Sequence, residues 1–398
     1  MDVLVMLGLL VLISSSHPLS IPELTTRGSH YEVGHDMGYT FKTEIDEYFS
    51  KSRLHTKLLP FVHTTQGSEY YKSYLSIVKS YFPQYVDEMR GIADGAGRMF
   101  IEVFTQVISA ELYAVMKLQD DYSGCSDVYV NFPNSAAICH NEDGDPLVKD
   151  RGYLVHAIIA DKQSGHVLEN FTAYTYPGIL PGNAFGFNSH GKVFTVNALY
   201  PRLVKPNQIP RCVLSRAMLS IKTRVELEDL FMTGLGTAYG FNVNFADLLN
   251  TTQVFVDYEI TPQNGKKSSL VGRREIGVQR SPHQKTDQTG RYFHFNMFEI
   301  LNVSQFSNSI VSSQHRKARA FSLPSPRDIP GALNILGDTF DAKYPIYRSP
   351  RPTDDESTEA TAVFDVLHCL LYIYKTNPKS GQPLLTITLP RGPLCRAV

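Results

Sequence analysis

Between Glu32 and Ala114 apolar residues recur at helical spacing, with polar residues between them. Tyr71, Tyr74, Leu75, Val78 and Tyr81 share one face, and after Phe82-Pro83 the pattern resumes at Val86, Met89 and Ile92. That period predicts amphipathic helices. Pro83 suits the first turn of the second, where its missing N–H would have no helical partner. Tyr39–Phe49 reads the same way, and a further helix is expected over Ile101–Val115, beyond the punctuation of Gly91, Gly95 and Gly97. After Cys125 the character changes. Ser126–Val130, Ala136–His140, Tyr153–Ala160 and Val167–Tyr174 are short runs rich in β-branched and aromatic residues, as strands are.

Asn141-Glu142-Asp143-Gly144 and Lys162–Gly165 read as turns, and Ala184–Asn188 with Lys192–Ala198 as a hairpin around Ser189-His190-Gly191. Helices are expected over Arg211–Ser220 and Val225–Thr233, and strands at Gly240–Leu248, Val254–Ile260 and Arg291–Phe298. Another helix is expected to open at Ser313–Phe321. Pro262–Thr289 and Pro345–Thr361 are polar and read as surface loops; Val363–Tyr374 fits a helix or a strand, with a strand at Leu384–Leu389. Helices and strands in this order predict an α+β fold with helices packed over sheets.

Composition narrows the class. The net charge of −1, with no basic block, argues against a nucleic-acid partner. Val3–Ile13 is an apolar run followed by Ser14-Ser15-Ser16, the form of a signal peptide over residues 1–16, although Asp2 stands where a positive charge is expected. The alternative is a buried first element and a cytoplasmic protein. The run is short of the ~20 residues that span a bilayer, and no other run suggests a membrane anchor. Asn170, Asn250 and Asn302 head glycosylation sequons, which fits the secretory route, secreted or lysosomal. The five cysteines form no Cys-x-x-Cys pair and no zinc-ligand spacing. Cys369 and Cys395 either bridge the C-terminal segment or remain buried thiols.

The chemistry centres on Gly124-Cys125-Ser126, where a polar turn meets an apolar strand. A chain cut between Gly124 and Cys125 would leave cysteine at a new N-terminus. Its α-amine, with a pKa near ~8, would be a built-in base for the thiol. No phosphate-binding loop, dinucleotide fingerprint, Gly-x-Ser-x-Gly or His-Glu-x-x-His is present, so no cofactor and no metal are expected. On residue type alone, Asp143 reads as a turn former, His140 as structural and Arg316 as part of a solvated basic face.

Several marks in order extend this reading: Gly28–His35, Met89–Gly97, His140-Asn141-Glu142-Asp143, Tyr176-Pro177-Gly178, Leu180-Pro181-Gly182, Gly191–Ala198, His294-Phe295-Asn296 and Ser313-Gln314-His315-Arg316. With Gly124-Cys125-Ser126 they make the chain resemble the self-cleaving N-terminal-nucleophile hydrolases of the acyl-CoA:isopenicillin N acyltransferase group, and within it the Tan-type β-alanyl-dopamine/carcinine hydrolases. The resemblance implies an αββα sandwich, two antiparallel sheets covered by helices. Residues 17–124 and 125–398 would be the two pieces of one domain, associated after self-cleavage.

It also implies roles. Cys125 is the nucleophile for cleavage after Gly124 and for turnover. Asp143 orients the α-ammonium and the substrate, Asn244 is the oxyanion donor with Asn242 as the alternative, and Arg316 binds substrate or orients the site. Ser126 is a neighbouring hydroxyl. The implied substrate is a small N-β-alanyl amine. Acyl transfer to a second amine, hydrolysis of fatty N-acyl amides, and a secreted binding protein without activity are the competing readings.

Overall fold

The computed structural model describes residues 20–118, 124–232, 234–278, 292–349 and 356–396. The expected leader, 1–16, lies outside them. The first strand, β1 (Glu23–Gly28), leads into helices α1 (His30–Thr40), α2 (Lys42–Lys51), α3 (Leu59–Val62), α4 (Thr65–Tyr81), α5 (Pro83–Ala96), α6 (Phe100–Val107) and α7 (Ser109–Met116). Strands follow: β2 (Ser126–Phe132), β3 (Ser135–Gly144), β4 (Tyr153–Ala160), β5 (Val167–Thr175), β6 (Phe185–Asn188) and β7 (Lys192–Ala198). After α8 (Arg211–Met218) and α9 (Arg224–Met232) come β8 (Phe241–Asp247), β9 (Phe255–Pro262), β10 (Ser269–Ile276) and β11 (Tyr292–His294). The chain closes with α10 (Ser307–Ser322), α11 (Ile329–Leu336), β12 (Ser357–Asp365), β13 (Leu370–Tyr374) and β14 (Leu385–Thr388).

Local chemistry explains the helical ends. Ser29 and Glu32 form a reciprocal cap on α1, satisfying N–H groups that have no helical acceptor. Pro83 opens α5, and Gly97 ends it at a φ of +66°. Helices α1 and α5 pack backbone to backbone. A Cβ on Gly34 or Gly91 would stand 2.1 Å from a carbonyl oxygen of the other helix, so a side chain there would force them apart.

The strands form two sheets, ordered β1-β4-β5-β6-β7-β8-β9-β10 and β11-β2-β3-β12-β13-β14. Three apolar clusters define four layers. Val155, Phe194, Val243 and Tyr258 face the helices preceding residue 117 together with α8 and α9. Ile138, Phe185, Val193 and Phe364 fill the space between the sheets. Val128, Cys139 and Val363 face Ala320, Leu333 and Leu336 of α10 and α11. This is the αββα sandwich.

Several expectations need correction. The larger sheet is not wholly antiparallel, because β1 joins β4 in parallel. Asn141–Gly144 is not a turn; it is the end of β3, paired with β12 on one side. Ser269–Ile276, inside the expected loop 262–289, is an edge strand on β9, and Ser357 onward, inside 345–361, is β12. Residues 279–289 and 350–355 of those loops lie outside the described residues. The helix expected over Ile101–Val115 is two, broken at Ile108. The ambiguous Val363–Tyr374 is strand, and Cys369 and Cys395 form a disulfide, with Cys125, Cys139 and Cys212 free and buried.

Candidate active site

Pro133-Asn134 joins β2 to β3 and sets their register, with Phe132 opposite Ser135, Asp127 opposite His140 and Ser126 opposite Asn141. One further step brings Cys125 level with Glu142. Side chains alternate along a strand, so residues 125, 127, 140 and 142 lie on one face, within reach of each other as cross-strand and i,i+2 neighbours. They meet as a buried square between the sheets. His140 Nδ1 is 2.9 Å from Asp127 Oδ2, and its Nε2 is 2.8 Å from Glu142 Oε2. The Cys125 thiol donates to that same Glu142 oxygen at 3.5 Å. Tyr176 donates its hydroxyl to Glu142 Oε1, and Thr195 Oγ1 donates to Asp127 Oδ1 at 2.7 Å.

Burial, with the Glu142 charge adding to it, pushes the Cys125 thiol up to about 12, against the pull of His140. The thiol is therefore protonated at neutral pH and needs a proton acceptor to react. Burial alone would lower the His140 pKa. The Asp127 carboxylate outweighs it, with help from Cys125 and Glu142, and the pKa is raised well above the usual histidine range. The imidazolium then donates to a carboxylate through each nitrogen.

The other face of the hairpin carries a second set of groups. Arg316 of α10 is fully buried, with its guanidinium turned inward. It donates to the Cys125 carbonyl oxygen at 2.6 Å, to Ser126 Oγ at 2.8 Å and to Asn296 Oδ1 at 2.9 Å. Desolvation, then the nearby Arg348 charge, lowers its pKa to about 10, so it remains a cation at neutral pH. Asp143 accepts from Thr358 Oγ1 at 2.7 Å, with Arg348 Nε 4.0 Å from its other oxygen. Burial raises the Asp143 carboxyl to about 7, with Arg348 and Arg316 opposing. Gly124 has a φ of +61° and donates its N–H to the Glu356 carboxylate.

A cavity of about 750 Å³ reaches Gly124 and Cys125. Glu142, Asp143, Asp145 and Glu356 line it together with Lys51, Arg53 and Arg211, and Tyr48, Tyr113, Tyr176, Tyr200 and Tyr239 supply rings. The structure thus brings Cys125 and Asp143 to one cavity, with Arg316 directly behind. It does not bring Asn242 or Asn244 to that wall. Asn244 Nδ2 bonds Thr195 Oγ1 at 2.9 Å and Asn197 Oδ1 at 3.1 Å, and Asn242 Nδ2 bonds Asp257 and the Tyr258 carbonyl. The sequon residues Asn170, Asn250 and Asn302 are all exposed.

Sequence reasoning missed Glu142 and Asp127 and set His140 aside. The available signal was Cys-x-Asp facing His-x-Glu across a two-residue hairpin. Two buried groups, Cys125-His140-Glu142 and Asp257-Glu259-His294, hold donor atoms within 4.8 Å of one another. In each the histidine is already paired with a carboxylate, which accounts for the cluster without a metal.

The family model described as acyl-coenzyme A:6-aminopenicillanic acid acyl-transferase matches residues 130–380. The chain is 30% identical over 382 residues to beta-alanyl-dopamine/carcinine hydrolase of Drosophila melanogaster, covering 92% of this chain and 95% of that one. It is 27% identical over 220 residues to the 40 kDa form of acyl-coenzyme A:6-aminopenicillanic-acid-acyltransferase of Emericella nidulans, covering 54% and 57% respectively. Among solved structures, penicillin V acylase from Agrobacterium tumefaciens aligns at 12% identity with a TM-score of 0.35, over 63% of this chain and 83% of that chain. The span of the family model and the near full-length likeness to the Drosophila protein place the sequence: the chain belongs to the acyl-coenzyme A:6-aminopenicillanic acid acyl-transferase family.

Proposed function

We propose that this protein is a self-processing amidohydrolase that cleaves N-β-alanyl biogenic amines, such as β-alanyl-dopamine and carcinine, through a thioester on Cys125. The observation that carries the reading is a cavity that ends on the Gly124-Cys125 bond and is lined by five tyrosines and four acidic residues, with Lys51, Arg53 and Arg211 also on its wall. A β-alanyl group brings a cationic ammonium on a short chain, which the acidic residues next to Cys125, Glu142 and Asp143, complement. The aromatic amine it is joined to fits among tyrosine rings. A long fatty chain would desolvate the same carboxylates with nothing in return. The Drosophila relative is named for this substrate pair.

In turnover, Sγ attacks the acyl carbon while the freed α-amine of Cys125 takes the thiol proton and passes it to the departing amine. Water then opens the thioester. Arg316 acts as a positioning residue, holding the Cys125 carbonyl so that amine and sulfur stay aimed at the cavity. Asn244 remains the proposed oxyanion donor, on the condition that acyl binding draws one amide hydrogen away from Thr195 or Asn197. Entry into the secretory route through a leader at 1–16 is part of the proposal. The Cys369–Cys395 disulfide and the three exposed sequon asparagines support it. No helix among the described residues is long and apolar enough to cross a membrane.

Gly124 tests the cleavage geometry. A Cβ there would come within 2.8 Å of Asn296 Nδ2, and φ of +61° disfavours any side chain. Gly124→Ala is expected to pull the scissile carbonyl off its seat and slow cleavage by roughly tenfold or more, the equivalent of ~1.4 kcal/mol. Densitometry of precursor and fragments on a denaturing gel measures this.

The function is tested on purified protein by N-terminal sequencing and by release of β-alanine. A fragment beginning Cys125-Ser126-Asp127 is expected. Release from β-alanyl-dopamine or carcinine should exceed release of amine from a fatty N-acyl amide. Full activity in a single unbroken chain would overturn the proposal. Loss of substrate without free β-alanine, only when a second amine is present, would move it to acyl transfer.

A further inference from the structure

Before the Gly124-Cys125 bond breaks, the nitrogen of Cys125 is an amide and cannot act as a base. The first reaction, self-cleavage, therefore needs a proton acceptor that later turnovers do not. This reasoning rests on the self-processing reading above. The side chains that surround the sulfur decide between candidates. His140, donating to a carboxylate through each ring nitrogen, has no lone pair with which to take a proton. Asp143 lies on the opposite face of β3 and is bonded to Thr358. Arg316 is a cation. Glu142 alone among these directs an accepting oxygen at the thiol, Oε2 at 3.5 Å from Sγ.

We propose that Glu142 is the proton carrier of the self-cleaving step, held in place by His140, Asp127 and Tyr176. As Sγ bonds to the carbonyl carbon of Gly124, the thiol proton passes to Glu142 Oε2. When the carbon–nitrogen bond to Cys125 breaks, Glu142 returns that proton to the nitrogen, which leaves as an amine. The product is a thioester between Gly124 and Cys125 with no net change in protons. One water then hydrolyses it to the Gly124 carboxylate and the free thiol.

The square explains why this carboxylate is held in place. Glu142 sits two register steps from the Asp127–His140 pair, on the same face, so the β2–β3 hairpin fixes its distance from the sulfur. The imidazolium grips the oxygen that faces the thiol, and Tyr176 grips the other. The His140 charge also offsets the cost of keeping a carboxylate buried beside a thiol. Asp127, in turn held by Thr195 from the facing sheet, keeps the imidazole from turning. Glu142 is the catalytic residue of this step, and His140, Asp127 and Tyr176 are positioning residues.

The test uses the full-length chain carrying Glu142→Gln, which keeps the shape of the side chain and cannot hold the proton. Self-cleavage is expected to slow by roughly 100-fold or more, the range of a lost general acid–base group. It should fall at least about ten times further than turnover per liberated N-terminal cysteine, because the free amine serves the later reaction. Hydroxylamine, which opens thioesters, should not restore the rate, since the thioester itself fails to form. Cleavage at the wild-type rate, or full rescue by hydroxylamine, would overturn the assignment. If Glu142→Gln does not elute as the folded Cys125→Ala chain does, Tyr176→Phe replaces it. That variant must slow cleavage by about tenfold, and wild-type cleavage there overturns the assignment equally. A wild-type chain that never cuts itself would bring down the proposed function instead, a result read from the wild-type lane alone.

Discussion

Cys125→Ala yields one uncut chain and no detectable amide hydrolysis. The expected loss of turnover is about 10⁴-fold or more, the scale on which removing a covalent nucleophile acts. Both effects have one cause. In the proposed mechanism the sulfur attacks the Gly124 carbonyl, and cleavage creates the amine that later serves as base. The fold should survive, because Cys125 is a small buried side chain whose thiol meets Glu142 only at 3.5 Å. Intact mass, a denaturing gel and β-alanine release read the three outcomes separately. An uncut but active variant would remove Cys125 from the chemistry. A cut but inactive one would move the cleavage to another nucleophile and leave Cys125 with turnover alone.

Much of this site was legible before the structure, and what was not legible failed for identifiable reasons. The strands at Ser126–Val130 and Ala136–His140 were visible as short apolar runs. Reading Asn141-Glu142-Asp143-Gly144 as a turn ended the second strand too soon. Those residues have turn chemistry, yet β12 pairs with them and holds them extended, a tertiary contact that local propensity does not contain. That error hid Glu142, because only a continuous β3 places it opposite Cys125. Ser269–Ile276 was missed for a similar reason. Its Gly, Arg and Glu residues look like loop, and it forms a ladder on one side only, at the edge of β9. Arg316 lies among His315, Lys317 and Arg319, and charge alone could not show which of them turns inward. The resemblance marked it, and the buried carbonyl of Cys125 explains it. The resemblance also marks Asn244, but its neighbours across β7 engage its amide in this structure.

Arg216→Met should let the two pieces of the cleaved enzyme come apart. Arg216 of α8 is fully buried and reaches Glu88 of α5 through Nε and a terminal nitrogen, each at 2.8 Å, and Glu169 of β5 at 2.8 Å. His30 of α1 adds contacts at 2.8 Å to Glu88 and 3.5 Å to Glu169. The guanidinium also lies over Tyr85 at 4.7 Å and Phe171 at 4.5 Å. His30, Tyr85 and Glu88 precede the Gly124-Cys125 bond, whereas Glu169, Phe171 and Arg216 follow it. The network is therefore a clasp across the proposed cut. Methionine fills much of the space but leaves two buried carboxylates facing each other with only His30 between them. Breaking a buried pair in this way costs ~3–5 kcal/mol, or roughly 10²–10³-fold in fragment affinity.

The pH dependence separates lost charge from lost packing. Burial would raise the Glu88 carboxyl, but Arg216, then His30, outweighs it and holds it at about 2 instead of the ordinary 4.5. A folded-state pKa below the unfolded one gives stability that is present above about 4.5 and lost as pH falls toward about 2. Wild-type fragments should therefore loosen on acidification through that window. Without Arg216, burial is far less opposed and the sign reverses, so the variant's fragments should bind more tightly as Glu88 takes up its proton. Adding Glu88→Gln to Arg216→Met should recover part of the loss at neutral pH for the same reason. Sedimentation of cleaved protein across that pH range measures all three. Fragments of Arg216→Met that stay together as firmly as wild type at neutral pH would show that the apolar contacts of α1 and α5 hold the halves without the clasp.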